Sequence, residues 1–245
     1  MRRLGVVLTV GLGLVSTPSV GQEKVDLELV LMADASGSID SAEIAFQRRG
    51  YAAAITDPEI ISAIQQGFDG RIAVTYVEWG SSVSQEVVVP WTVIDGQESA
   101  EAFADVLINT PRQAFGRNAI GSAIAAGQAL IEGNAIEGHR RVIDISADSA
   151  NSWSGVPIQA ARERAMAADI TINGLAILCG HLGCGGRPVA YDVERAFADG
   201  IIAGPGSFVV TVDSDTSFAE AVRKKLLLEI AGPDPSTLPR RLAGR

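Results

Sequence analysis

Histidine and cysteine are scarce, two of each among 245 residues, and that scarcity narrows the chemistry open to the chain. His139 and His181 belong to no recognisable catalytic triad, and the sequence holds neither a GxSxG elbow nor an HExxH helix. A serine hydrolase and a zinc peptidase therefore find little support. Basic residues are also short, 20 against 29 acidic ones, for a formal net charge of −9. A chain of that sign is a poor partner for nucleic acid or an anionic membrane. No internal repeat and no low-complexity stretch is present, which argues against a solenoid or a long linker. The apolar run over 4–15 falls short of the ~20 residues that cross a bilayer.

That run has another reading. Arg2 and Arg3 precede it, and Ser19, Val20 and Gly21 supply small residues after it, the pattern of a cleavable signal peptide over 1–21. The expected product begins at Gln22, is periplasmic or secreted, and carries about −11 once Arg2 and Arg3 are lost. In an exported chain an even cysteine count favours a disulfide between Cys179 and Cys184. The alternative is a zinc site, because His181 lies between the cysteines and His139 could complete the set.

From Gln22 onward, short β-rich runs alternate with longer segments of helical period, the signature of βαβ units. The expected fold is α/β and doubly wound: a mostly parallel sheet of about six strands, one antiparallel edge strand, and helices on both faces. Strands are expected over 26–33, 72–79, 83–91, 141–146, 170–177 and 208–212. The run Leu29 to Ala33 is continuously apolar, as in a central strand buried on both sides. Gly80, Ser81 and Ser82 join two strands closely enough for a hairpin, which supplies the antiparallel strand. Helices are expected over 98–108, 120–131, 157–168, 192–199 and 217–230. Two more follow the first strand: Asp40 with Glu43 three residues later forms a capping box, and Asp57-Pro58 opens a short helix. Gly232 to Pro235 ends the pattern, so one domain over 22–232 is expected, with a disordered tail over 233–245.

Three loops at the expected carboxyl ends of strands carry small oxygen-bearing side chains, where open α/β sheets bind ligands. The first is Asp34-Ala35-Ser36-Gly37-Ser38, the second runs from Gly116 through Asn118 to Gly121, and the third is Ser146-Ala147-Asp148-Ser149. Alternation along an extended turn lets Asp34, Ser36 and Ser38 point one way, with Gly37 easing the turn. Oxygen donors of this kind suit magnesium, and also calcium or manganese. A polar turn capping the next helix would use the same residues.

On those residues the chain resembles the von Willebrand factor type A domains over 25–230. Their metal-ion-dependent adhesion site joins an Asp-x-Ser-x-Ser motif to a threonine and an aspartate on later loops. The runs 33–39, 70–79 and 140–148 look like a bacterial branch of exported type A proteins of unknown function. The resemblance implies that Ser36 and Ser38 ligate a divalent cation directly, and that Asp34 and Asp148 hold it directly or through water. Asn118 stands where the family has its threonine, and its amide carbonyl reaches further than a hydroxyl. The implied function is recognition of an acidic group on a protein or peptide partner, without catalysis. Two other readings stay open, a metal-dependent or serine hydrolase and a scaffold whose degenerate motif binds no metal. Glu78 and Trp79 could rim the site, Trp153 could anchor a partner, and Arg117 could attract an acidic ligand.

Overall fold

Strand β1 (Glu23–Asp34) pairs in parallel with β2 (Ile72–Trp79) on one side and with β4 (Ile136–Ala147) on the other, which is why its sequence is apolar on both faces. The structure, a computed structural model, describes residues 22–178, 190–212 and 218–232. Strand β3 (Gln85–Ile94) runs antiparallel to β2 at one edge, while β5 (Thr171–Ile177) and β6 (Val209–Val212) extend the sheet in parallel beyond β4. The strand order is β3-β2-β1-β4-β5-β6. The expected architecture of six strands with one antiparallel edge is the one observed.

Alternate residues of β1 feed two separate cores. Leu27, Leu29 and Leu31 meet α1 (Ser41–Ile55), α2 (Pro58–Gln65), α3 (Gln97–Asn109) and α7 (Phe218–Ala231). Val30 and Met32 point the other way, towards α4 (Ile120–Glu132), α5 (Ile158–Ala167) and α6 (Val193–Gly200). Each fully buried side chain of this size contributes ~1.5–3 kcal/mol, so burial on both faces makes β1 the rigid centre of the molecule.

Local chemistry places the helix starts. Asp40 Oδ1 accepts from the backbone N–H of Ala42 and Glu43, and Glu43 Oε2 accepts from Asp40 N–H at 2.7 Å, closing the expected capping box. Asp57 caps α2 from the Glu59 N–H at 2.8 Å, with Pro58 in the first turn. Several boundaries differ from expectation by one to five residues, and two of the strand starts have a clear cause. β4 starts at Ile136 instead of 141, because its polar first half still pairs with the start of β1 beyond the cores. β3 starts at Gln85 instead of 83, because Gly80 N–H and Ser84 N–H bond to Ser84 and Ser81 carbonyls and lengthen the turn.

The strand order decides where a ligand can sit. From β1 the chain moves outward to β2 and β3, then returns to β4 on the opposite side, so it diverges at the carboxyl ends of β1 and β4. Such a switch point leaves a crevice between the two following loops. Asp34 ends β1 and Asp148 follows β4 directly.

Candidate metal centre

Beyond Asp34 the chain leaves the sheet in a tight turn. Ala35 N–H bonds to Trp79 O at 2.8 Å, prolonging the ladder to β2, and Ser36 N–H donates to Asp34 Oδ1 at 2.7 Å. This Asx-type closure is the local habit of aspartate before small residues. It leaves the Ser36 and Ser38 hydroxyls 3.2 Å apart, pointing the same way. Gly37 N–H bonds to Gly116 O at 2.7 Å, which ties the first loop to the second.

Asn118 lies on that second loop, buried, ahead of α4. Its Nδ2 donates to Asp34 Oδ2 at 3.2 Å and to Ser149 Oγ at 3.1 Å. From the third loop, the half-buried Asp148 accepts hydrogen bonds from Ser38 and Ser149. Thus Asp34, Ser36, Ser38, Asn118 and Asp148, spread over more than a hundred residues of sequence, lie in one hydrogen-bonded group at the switch point. Asn118 differs in detail from the reading as a carbonyl donor: here its amide nitrogen faces the Asp34 carboxylate.

Burial raises the Asp34 carboxyl to about 7, the nearby charge of Asp148 pushes the same way, and hydrogen bonds from Ser36 and Asn118 only partly oppose them. Asp148 is also raised, chiefly by burial, with Ser38 and Ser149 opposing. Two neighbouring carboxylates held away from water, with two hydroxyls beside them, form a donor set that a hard divalent cation satisfies in charge and in ligand type. Nothing in the donor set favours a soft ion, since all the facing atoms are oxygens or an amide.

Other residues fall outside the group. Trp79 is fully buried, with its indole N–H on Met32 O at 3.2 Å, and Glu78 is buried in an ion pair with Arg48 at 2.7 Å. Both are packing residues. Arg117 lies with its guanidinium 4.4 Å from the centre of the exposed Trp153 ring. Cys179, Cys184 and His181 lie outside the described residues. His139 pairs with Asp69 at 2.8 Å near the start of β4, roughly 25 Å along that strand from its carboxyl end at ~3.3 Å per residue.

Sequence reasoning named Ser149 in the third loop without giving it a role, and it missed Arg112. Ser149 was visible only as a neighbour of Asp148. Arg112 gave no signal, since its role is to satisfy carbonyls of a loop more than 70 residues away. Its guanidinium donates to Ala35 O at 2.6 Å, Ser36 O at 3.2 Å, Ile39 O at 2.8 Å and its own loop's Ala114 O at 3.2 Å. A planar fork can bridge that many acceptors, whereas a lysine is a single point donor. Arg112→Lys is therefore expected to loosen loop 34–39 and cost on the order of 1–3 kcal/mol for carbonyls left without a donor. Amide hydrogen exchange should locate the gain in exchange at 36–39, with β4 unchanged.

Comparison with known proteins places this geometry. The family described as "Protein of unknown function (DUF1194)" matches residues 24–234. No curated protein matches the chain by sequence. Among solved structures, a von Willebrand factor type A protein from Catenulispora acidiphila matches with a TM-score of 0.59 at 15% identity, covering 84% of this chain and 43% of its own. Proximal thread matrix protein 1 of the mussel byssus, in a form with a zinc-occupied MIDAS motif, matches with a TM-score of 0.55 at 17% identity, covering 85% and 48%. BatB, a conserved hypothetical protein from Bacteroides thetaiotaomicron, matches with a TM-score of 0.51 at 16% identity, covering 84% and 98%. The chain spans less than half the length of the first two. At these identities the likeness establishes the fold, that of a von Willebrand factor type A domain.

Proposed function

We propose that this chain, which belongs to the DUF1194 family of proteins of unknown function and has the von Willebrand factor type A fold, is an exported, non-catalytic recognition module working through a divalent cation. Ser36, Ser38, Asp34 and Asp148 would hold the cation, magnesium first and calcium or manganese next. Asn118 would position Asp34 through its Nδ2, and would reach the cation itself only by turning its amide over. A bound cation supplies positive charge at an open edge of the site, where a carboxylate from a protein or peptide partner can complete the shell. Binding energy then depends on the partner and not on any bond made or broken.

The observation that supports this reading best is the approach of Asp148 to Ser38 and Asp34 across the β1–β4 switch point. A turn that merely caps α1 has no need of it, because Asp40 already caps that helix. The zinc-occupied motif of the mussel protein shows that one protein of this fold holds a cation. Export is supported by the leader-like first 21 residues, and among the described residues no helix is long and apolar enough to cross a membrane.

Calorimetric titration of the purified, chelator-treated protein with magnesium, calcium and manganese in turn tests the proposal. One site with saturable heat for at least one of them is expected. Absence of heat and of any thermal shift with all three would leave the scaffold reading in possession.

A further inference from the structure

Three loops surround the candidate site and are stitched into a closed ring. Ser81 N–H donates to Phe115 O at 2.9 Å and Phe115 N–H donates to Ser84 Oγ at 3.0 Å, joining loop 80–84 to loop 112–118. Trp153 N–H donates to Asn118 O at 2.8 Å, joining the second loop to loop 149–157. Ser154 Oγ meets Ser82 Oγ at 3.4 Å, closing the ring. The backbones touch so closely that a Cβ on Gly80 would lie 2.2 Å from Phe115 O, and one on Gly155 would lie 2.6 Å from Ser82 Cβ. The ring is a packed platform, and it shares Asn118 with the site.

Each loop nevertheless turns one large apolar side chain outward. Val83 is 81% exposed, Phe115 60% and Trp153 61%. Grouped apolar exposure beside a polar site stands out, since the other two indoles are buried (Trp79) or half-buried (Trp91). Arg117, 4.4 Å over the Trp153 ring, holds the indole in place by a cation–π contact and sets a positive charge at the rim. Anchors held in advance bind at a lower cost in side-chain entropy.

We infer that this ring is a docking surface for a partner segment in which one carboxylate neighbours a large apolar side chain, the carboxylate going to the cation and the apolar group to Trp153 and Phe115. The inference rests on the cation-dependent reading above and adds the partner's chemistry to it. Charge decides against a polyacidic partner: the chain's net −9 repels it, and beside the cation the local positive charge is Arg117 at the rim and Arg112, whose guanidinium is already taken up by loop carbonyls.

A displayed library of random heptapeptides, panned on the protein in magnesium and eluted with chelator, tests this. Enriched peptides are expected to pair an aspartate or glutamate with a large apolar residue. As synthetic peptides they should bind Trp153→Ala at least tenfold more weakly than native protein, with magnesium affinity measured separately in each. Acidic peptides lacking an apolar neighbour, undiminished binding by Trp153→Ala and Phe115→Ala, or no enrichment at all would overturn the docking surface while cation uptake still upheld the module. A native protein that takes up no cation removes both readings. Sedimentation showing a dimer that Trp153→Ala dissolves would assign the ring to a second copy of the chain, and that too overturns the inference.

Discussion

Asp34→Asn is expected to reverse its effect on stability with the cation present or absent. In chelator at pH 8 the variant should melt higher than the native protein, because it removes a carboxylate that burial and Asp148 have raised to about 7. In magnesium the order should invert. The native domain gains ~2.7 kcal/mol at a hundred times its dissociation constant, and the variant gains nothing. The sign follows from proton linkage. Between about pH 4 and pH 7 the unfolded Asp34 has released its proton and the folded one keeps it, so this group's contribution to stability falls as pH rises through that window. A cation restores what ionisation took away, hence a small magnesium shift at pH 5 and a large one at pH 8. Asp144 is raised to a similar value, so the difference between native and variant isolates Asp34. Equal melting of the two proteins in every buffer would refute the proposed role of Asp34.

The second large effect concerns stability alone. Lys225 on α7 is fully buried with its Nζ 2.8 Å from Asp144 Oδ1, and it also pairs with Glu229 one turn further along the helix. Glu229 accepts in addition from Asn173 Nδ2 at 3.1 Å. Burial alone lowers the ammonium's pKa, but Asp144 and Glu229 outweigh it and hold Lys225 charged above the usual lysine value. Lys225→Met leaves two carboxylates in the core without their cation, and a loss of about 3–5 kcal/mol is expected on urea unfolding. The loss should shrink at pH 5, where the Asp144 carboxyl, raised to about 7, can fold protonated, and adding Asp144→Asn and Glu229→Gln should restore most of it. Asp144 lies on β4, the strand that delivers Asp148, so α7 and the site are anchored to the same strand.

Most elements could be read from the chain because their causes are local. The Asp40 and Glu43 box, the Asp57-Pro58 start, and the break at Gly80 each act within a few residues and need no tertiary partner. The uninterrupted apolar stretch of β1 is nearly as direct, since only a strand covered on both faces can use it. Boundaries slipped where polar residues pair beyond the core, as at Ile136, because hydrophobic period carries no record of a ladder that continues into solvent. For the site, oxygen-bearing residues after two strands were visible as candidates. Arg112 was not, because four carbonyls that need a donor have no sequence signature.

By itself, then, the sequence determined the layered α/β architecture, the central place of β1, and which oxygen-bearing residues stand as candidates at the strand ends, for these depend on periodicity and on chemistry carried by neighbouring residues. Tertiary structure alone decided that Asp148 approaches Asp34 and Ser38, that Asn118 turns its nitrogen to Asp34, and that Lys225 lies between two acids in the core. Those facts depend on where distant strands end in space, and on a protein interior that makes charge costly wherever it is left unpaired.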